Sequence, residues 1–152
     1  MKQENKELLL RDLCARLPYG VRGERIWTAP VSGSPEKGIY VFDTFDINVL
    51  TTGYYDCGEY GFREVKNYSF KPYLFPLSSM TEEQKIKCFE GTDIELDENS
   101  EIWSKISSDT YTTITNMNNW LKVINWLLKN HFDIYGIVPK GLAIDCTNLN
   151  IY

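Results

Sequence analysis

Leu10, Leu13, Cys14 and Leu17 recur at i, i+3, i+4 and i+7, which lays one apolar stripe along a helix over residues 5–17. Pro18 and Gly20 end it, because proline cannot continue the ladder and glycine suits the turn that follows. From Val21 to Phe75 the period changes. Short β-prone runs, VRGERIW, GIYVFDTF, INVLTTGYY, EYGFREV and NYSFKPYLF, are separated by SGSPEKG and DCGEYG, both rich in turn residues. This spacing predicts a small antiparallel sheet or an SH3-like, partly open barrel.

The stretch KPYLFPLSSMTEEQ (71–84) reads as the passage from sheet to helix. Pro72 and Pro76 hold the chain extended and withhold donors from a ladder. Ser79 with Glu82, or Thr81 with Gln84, then satisfies the capping-box pattern, and Glu82 and Glu83 suit the positive end of a helix. A helix is expected over about 81–89, ending near Gly91. A loop follows through GTDIELDENSE, with a short helical piece at 101–107. The longest amphipathic run is 116–130. Met117, Trp120, Leu121, Ile124, Leu127 and Leu128 form a broad apolar face, and Asn118, Asn119, Lys122, Asn125 and Lys129 point away. Trp120, Ile124 and Leu127 are the residues expected to face the sheet. In the last stretch, Pro139-Lys140-Gly141 marks a turn between two short apolar runs. The pattern predicts one α+β domain over 1–152: an N-terminal helix, the small sheet or barrel, then two or three C-terminal helices and a short tail.

Composition narrows the function classes. No run of about 18 apolar residues exists, so no membrane partner is expected. The N-terminus, MKQENKELLLRDLCARL, is charged throughout and lacks the apolar core of a signal peptide, which predicts a cytoplasmic protein. Cys14, Cys57, Cys88 and Cys146 form no C-x-x-C pair and match no zinc spacing, so free thiols are expected and no metal is assigned. Net charge is −5, and residues 81–109 alone carry nine acids against three lysines. An acidic chain without clustered Lys and Arg argues against nucleic acid as the main partner.

Catalytic signals are sparse. His131 is the single histidine, so a hydrolase or transferase reading would need it beside a carboxylate. Its position just past a helix favours a role at the negative helix end. No phosphate-binding glycine loop is present, and no cofactor is assigned. Cys57 lies between Asp56 and Glu59, which disfavour a thiolate. The aromatic run is the strongest candidate. Tyr54, Tyr55, Tyr60, Phe62, Tyr68, Phe70, Tyr73 and Phe75 fall within 22 residues. One strand face must fill the core and the other can present a peptide-binding or base-stacking surface. Tyr54, Tyr55, Tyr60, Tyr68, Tyr73 and Phe75 are the candidate binding residues. The leading expectation is a non-enzymatic module with a protein partner, self-association being one form. The enzyme through His131 and a nucleic-acid binder through the aromatic face are the alternatives.

LLLRDLCARLPYGV, KPYLFPLSSMTEEQ and GLAIDCTNLNIY after NHFDIYGIVPK together resemble a family of small uncharacterised proteins from gut anaerobic bacteria and their phages or other mobile elements. The resemblance implies a mobile-element setting. It assigns no activity and no site residue, and residues 26–66 take no part in it.

Overall fold

The N-terminal helix α1 (Gln3–Arg16) buries Leu9, Asp12, Leu13 and Arg16. This stripe is shifted one residue from the one that Leu10 and Cys14 predict, and Cys14 is exposed. The shift is stabilised by an internal ion pair: Asp12 and Arg16 satisfy each other and so can enter the core with the two leucines. The computed structural model describes residues 2–29, 32–92 and 114–152.

A single 3-10 turn at Leu17–Tyr19 leads into β1 (Arg22–Thr28), which pairs antiparallel with β2 (Pro35–Val41). Then come α2 (Thr44–Thr52), the short strands β3 (Tyr54–Asp56) and β4 (Phe62–Glu64), and the long strand β5 (Lys66–Leu74). The helices α3 (Glu82–Phe89) and α4 (Ile114–Lys129) precede a two-residue strand, β6 (Ile144–Asp145). Among the described residues the main sheet has the order β2-β1-β5-β6, and β3 and β4 form a separate two-stranded hairpin. The fold is α+β. The sheet is open rather than a closed barrel, and it is mixed, since β6 runs parallel to β5. β5 continues past Pro72 because β6 takes up Tyr73 and Leu74.

The close approach of β1 to β5 requires glycine at position 23. A Cβ there would lie 2.7 Å from the Lys71 carbonyl and collide with the Phe70 ring. Phe70 thereby reaches a core of Leu9, Leu13, Val21, Phe42, Leu50 and Leu74. A second core joins Met80, Cys88 and Phe89 to Val123, Leu127 and Leu128 of α4, with Phe132 and Ile134.

Two sequence expectations are corrected. INVLTTGYY is not a strand: its first residues belong to α2, opened by a capping box in which Asp43 accepts from Phe45 and Asp46 N–H while Asp46 accepts from Asp43 N–H. In α4 the buried stripe is Val123, Leu127 and Leu128. Trp120 and Ile124 are half-buried at its flanks, and Met117 and Leu121 are exposed. The helix packs on α3 and α1, and Trp120 and Ile124 join Phe75 and Leu77 around the second core. Asn119, expected outside, is buried. Downstream, α3 begins where the Thr81–Gln84 box places it, whereas Ser79 Oγ donates to the Pro76 carbonyl inside a 3-10 turn. The helical piece expected at 101–107 lies outside the described residues.

Candidate functional site

A buried polar hub joins β1, α2 and β5. Arg25 comes from β1, and its Nη1 donates to Asp46 Oδ1 at 3.0 Å. Asp46 is held by the start of α2, where its other oxygen accepts the Asp43 amide at 2.9 Å. Tyr68 donates its hydroxyl to Asp46 Oδ1 at 2.7 Å. A bulge in β5 aims this tyrosine: the register with β1 slips between Ile26 and Thr28, and Asn67 takes a left-handed φ of 53°. Burial pushes the Asp46 carboxyl above its ordinary range, opposed by the bonds from Tyr68, Asp43 and Arg25. Burial, then the Asp46 charge, also pushes the Tyr68 phenol up. The guanidinium lies 3.8 Å from the Tyr40 ring centre and 4.9 Å from that of Phe45. Such stacking suits a cation removed from water.

Phe45 carries this order outward. Its ring meets Trp27 at 4.8 Å and Tyr55 at 4.6 Å, both edge-on. Tyr55 thus anchors the β3–β4 hairpin onto α2. The hairpin pairs Tyr54 with Glu64, Tyr55 with Arg63 and Asp56 with Phe62. Alternation puts Tyr55 and Arg63 on one face, with Arg63 exposed at its edge, and Tyr54, Asp56, Phe62 and Glu64 on the outer one. The tip is tight. Asp56 accepts the Gly58 amide at 3.0 Å, and Gly61 donates to the Gly58 carbonyl with a φ of 66° that only glycine adopts easily. Phe62 is 76% exposed, Tyr60 58% and Tyr54 50%. The outer surface is therefore aromatic and, with Asp56, Glu59 and Glu64, acidic.

The candidate residues separate on this frame. Tyr54 and Tyr60 stand in solvent, Tyr55 faces the protein, and Tyr68 is committed to Asp46. Tyr73 is buried, and Phe75 packs on Phe132 at 5.7 Å. The C-terminal tail reaches both: the Tyr152 hydroxyl donates to the Tyr73 carbonyl at 2.9 Å, and the Tyr152 ring centre lies 6.1 Å from that of Phe75. Sequence reasoning did not single out Phe62, Arg25 or Asp46. The D-x-x-D spacing of Asp43 and Asp46 was the available signal for the last.

His131 has φ 60° and sits where α4 turns back. Its N–H donates to the Leu128 carbonyl while Phe132 N–H reaches Leu127 O at 2.9 Å, the paired bonds of a Schellman turn. Its ring stacks on Tyr152 at 3.9 Å, and Nδ1 is buried without a hydrogen-bond partner. Burial, then the nearby Arg16 and Arg22 charges, lower its pKa to about 4. The imidazole is neutral at pH 7, so the positive charge at this helix end comes from Lys129 in the last turn and from Arg16. Its Nη2 donates to the Phe132 carbonyl at 2.6 Å. All four cysteines are free thiols. Burial pushes Cys88 up to about 12 and Cys146 to about 11, so neither is poised as a nucleophile. Among the described residues no group of three or more His, Cys, Asp or Glu is placed to hold a metal ion. No helix there is long and apolar enough to cross a membrane.

The chain matches no protein-family model, no curated protein and no solved structure.

Proposed function

We propose that this chain is a non-enzymatic binding module that engages a basic protein partner through the outer face of the β3–β4 hairpin. The observation that carries this reading is the meeting, on one short hairpin, of exposed Tyr54, Tyr60 and Phe62 with Asp56, Glu59 and Glu64. Aromatic faces attract Lys and Arg, and adjacent carboxylates strengthen that preference. The same carboxylates repel phosphate, which weighs against a nucleic-acid partner. The enzyme alternative has less support, because burial and nearby cations lower the His131 pKa to about 4, which makes a weak base, and the ring is stacked on Tyr152. A cytoplasmic setting is inferred from the free thiols. An accessory role in a phage or other mobile element rests on the resemblance of the two terminal segments and the 71–84 junction.

The test compares the parent chain with Tyr54→Ser/Phe62→Ser as baits in host lysate, with bound proteins identified by mass spectrometry and re-bound after purification. The double variant should melt with the parent yet lose a basic protein that the parent retains at low salt. Identical proteins on both baits, or retention of nucleic acid alone, would refute the reading. Sedimentation at two concentrations shows whether a second copy is the partner.

A further inference from the structure

Four consecutive residues of β5, Tyr68 to Lys71, line a groove of about 450 Å³. Successive side chains of a strand point to opposite faces, so a groove that touches all four lies along the strand's edge. One edge is occupied: Ser69, Phe70 and Lys71 pair with Ile26, Arg25 and Glu24 of β1. The groove therefore follows the other edge, the lane that β6 fills only beside Tyr73 and Leu74. Among the described residues no strand pairs with β5 upstream of that point on this side, and no loop or helix backbone bonds to residues 66–72. An open edge presents unpaired N–H and C=O groups, a template for one more strand.

The walls define what the strand would be. Leu9 of α1, Leu50 of α2 and Leu142 belong with Phe70 to the first core, so the groove has an apolar wall, to which Asn5 of α1 adds one polar side chain. Ser69 and Lys71 lie on the opposite, exposed side. The only acid opposite Lys71 on β1, Glu24, is held by Lys37 at 3.0 Å, and Lys71 makes no ion pair among the described residues. No acidic residue lines the groove. We propose that this groove binds an extended peptide segment of another protein, added as a strand beside residues 68–71 and alternating apolar with acidic residues. Apolar side chains meet the leucines, carboxylates meet Lys71, and the inner backbone edge completes the β5 ladder. Four such residues span about 13 Å. The site is separate from the outer face of the hairpin and does not depend on it.

The test uses the full chain and a library of capped hexapeptides in which Val, Ile, Leu or Phe alternates with Asp or Glu, read by fluorescence anisotropy. Binding should be saturable and should slow amide exchange within residues 66–72. N-methylation at alternate peptide positions should weaken binding about tenfold or more in one register and spare the other, because only one edge faces β5. Lys71→Glu, at an exposed position, should shift preference to peptides alternating Lys with apolar residues. The proposal is overturned if no library member binds or if both N-methylated registers bind like the parent peptide. It is equally overturned if protection falls on residues 54–64 instead, or if hexanoate binds where every peptide fails.

Discussion

Arg16 meets Asp12 with both side chains fully buried, its Nε and Nη2 donating to the two carboxylate oxygens at 2.8 Å each. The same guanidinium reaches the Leu128 and Phe132 carbonyls at the end of α4, so one side chain ties two helices together. Burial pushes the Asp12 carboxyl up, the Arg16 contacts oppose this, and nearby Asp133 adds to the rise. Removing the cation would leave that carboxylate and the Phe132 carbonyl without this donor, while the Leu128 carbonyl keeps the His131 amide. Arg16→Met should therefore cost about 3–5 kcal/mol, whereas Asp12→Leu with Arg16→Met should cost much less than the two single changes combined. Urea melts decide the matter, and a single variant as stable as the parent would mean that the pair is dispensable.

His131 makes stability depend on pH. Its pKa is about 4 in the fold and about 6.5 when unfolded, so between these values the unfolded chain binds more protons. The contribution is complete above about pH 6.5 and is lost as pH falls toward 4. The shift corresponds to up to about 3 kcal/mol, trimmed toward about 2 by solvent screening. Asparagine tolerates the left-handed backbone at this position, so His131→Asn should flatten the pH profile without breaking the turn. Asp12 and Asp46, whose raised carboxyls act with the opposite sign, are common to both proteins and drop out of the difference. Parallel profiles for the two proteins would show that the histidine is not the titrating group.

The legible parts of this chain are those where local chemistry and tertiary packing agree. The Thr81–Gln84 box announces α3, and the DCGEYG glycines announce the hairpin tip. The α2 helix was hidden because Ile47, Val49, Thr51 and Thr52 favour a strand, while its start signal pairs two aspartates instead of Ser or Thr with Glu or Gln. Thr51 and Thr52 fit the helix by donating to the Ile47 and Asn48 carbonyls. The outermost aromatics of the hairpin follow from its register, which alternation alone does not supply. The D-x-x-D spacing marks Asp46 locally, but its pairing with Arg25 has no local sequence pattern because the partners lie 21 residues apart.

The capping chemistry separates two neighbouring hydroxyls. Thr81 Oγ1 accepts the Gln84 amide at 3.2 Å and Gln84 returns the bond to Thr81 N–H at 2.9 Å. Ser79 takes no part in the cap. Thr81→Ala should cost about 1 kcal/mol and Ser79→Ala distinctly less, with the double change close to their sum. A double variant much worse than the sum would show that Ser79 takes over the cap when Thr81 is lost.

Asp46 is the point at which the sheet, α2 and the hairpin depend on one another. Its two oxygens accept from Arg25, Tyr68 and the Asp43 amide. An asparagine keeps the volume but has one acceptor oxygen and no charge, so the buried Arg25 loses its counter-ion. Asp46→Asn should cost about 3–5 kcal/mol, and Tyr68→Phe, which removes one hydroxyl, about 1 kcal/mol. The damage should also travel. Phe45, seated one residue before Asp46, supports Tyr55, so amide exchange across residues 54–64 should quicken in Asp46→Asn. Tyr54→Ser, on the outer face, should leave both stability and exchange nearly unchanged. If Asp46→Asn melts with the parent, the cation is held by Tyr40 and Phe45 alone and the hub does not organise the hairpin.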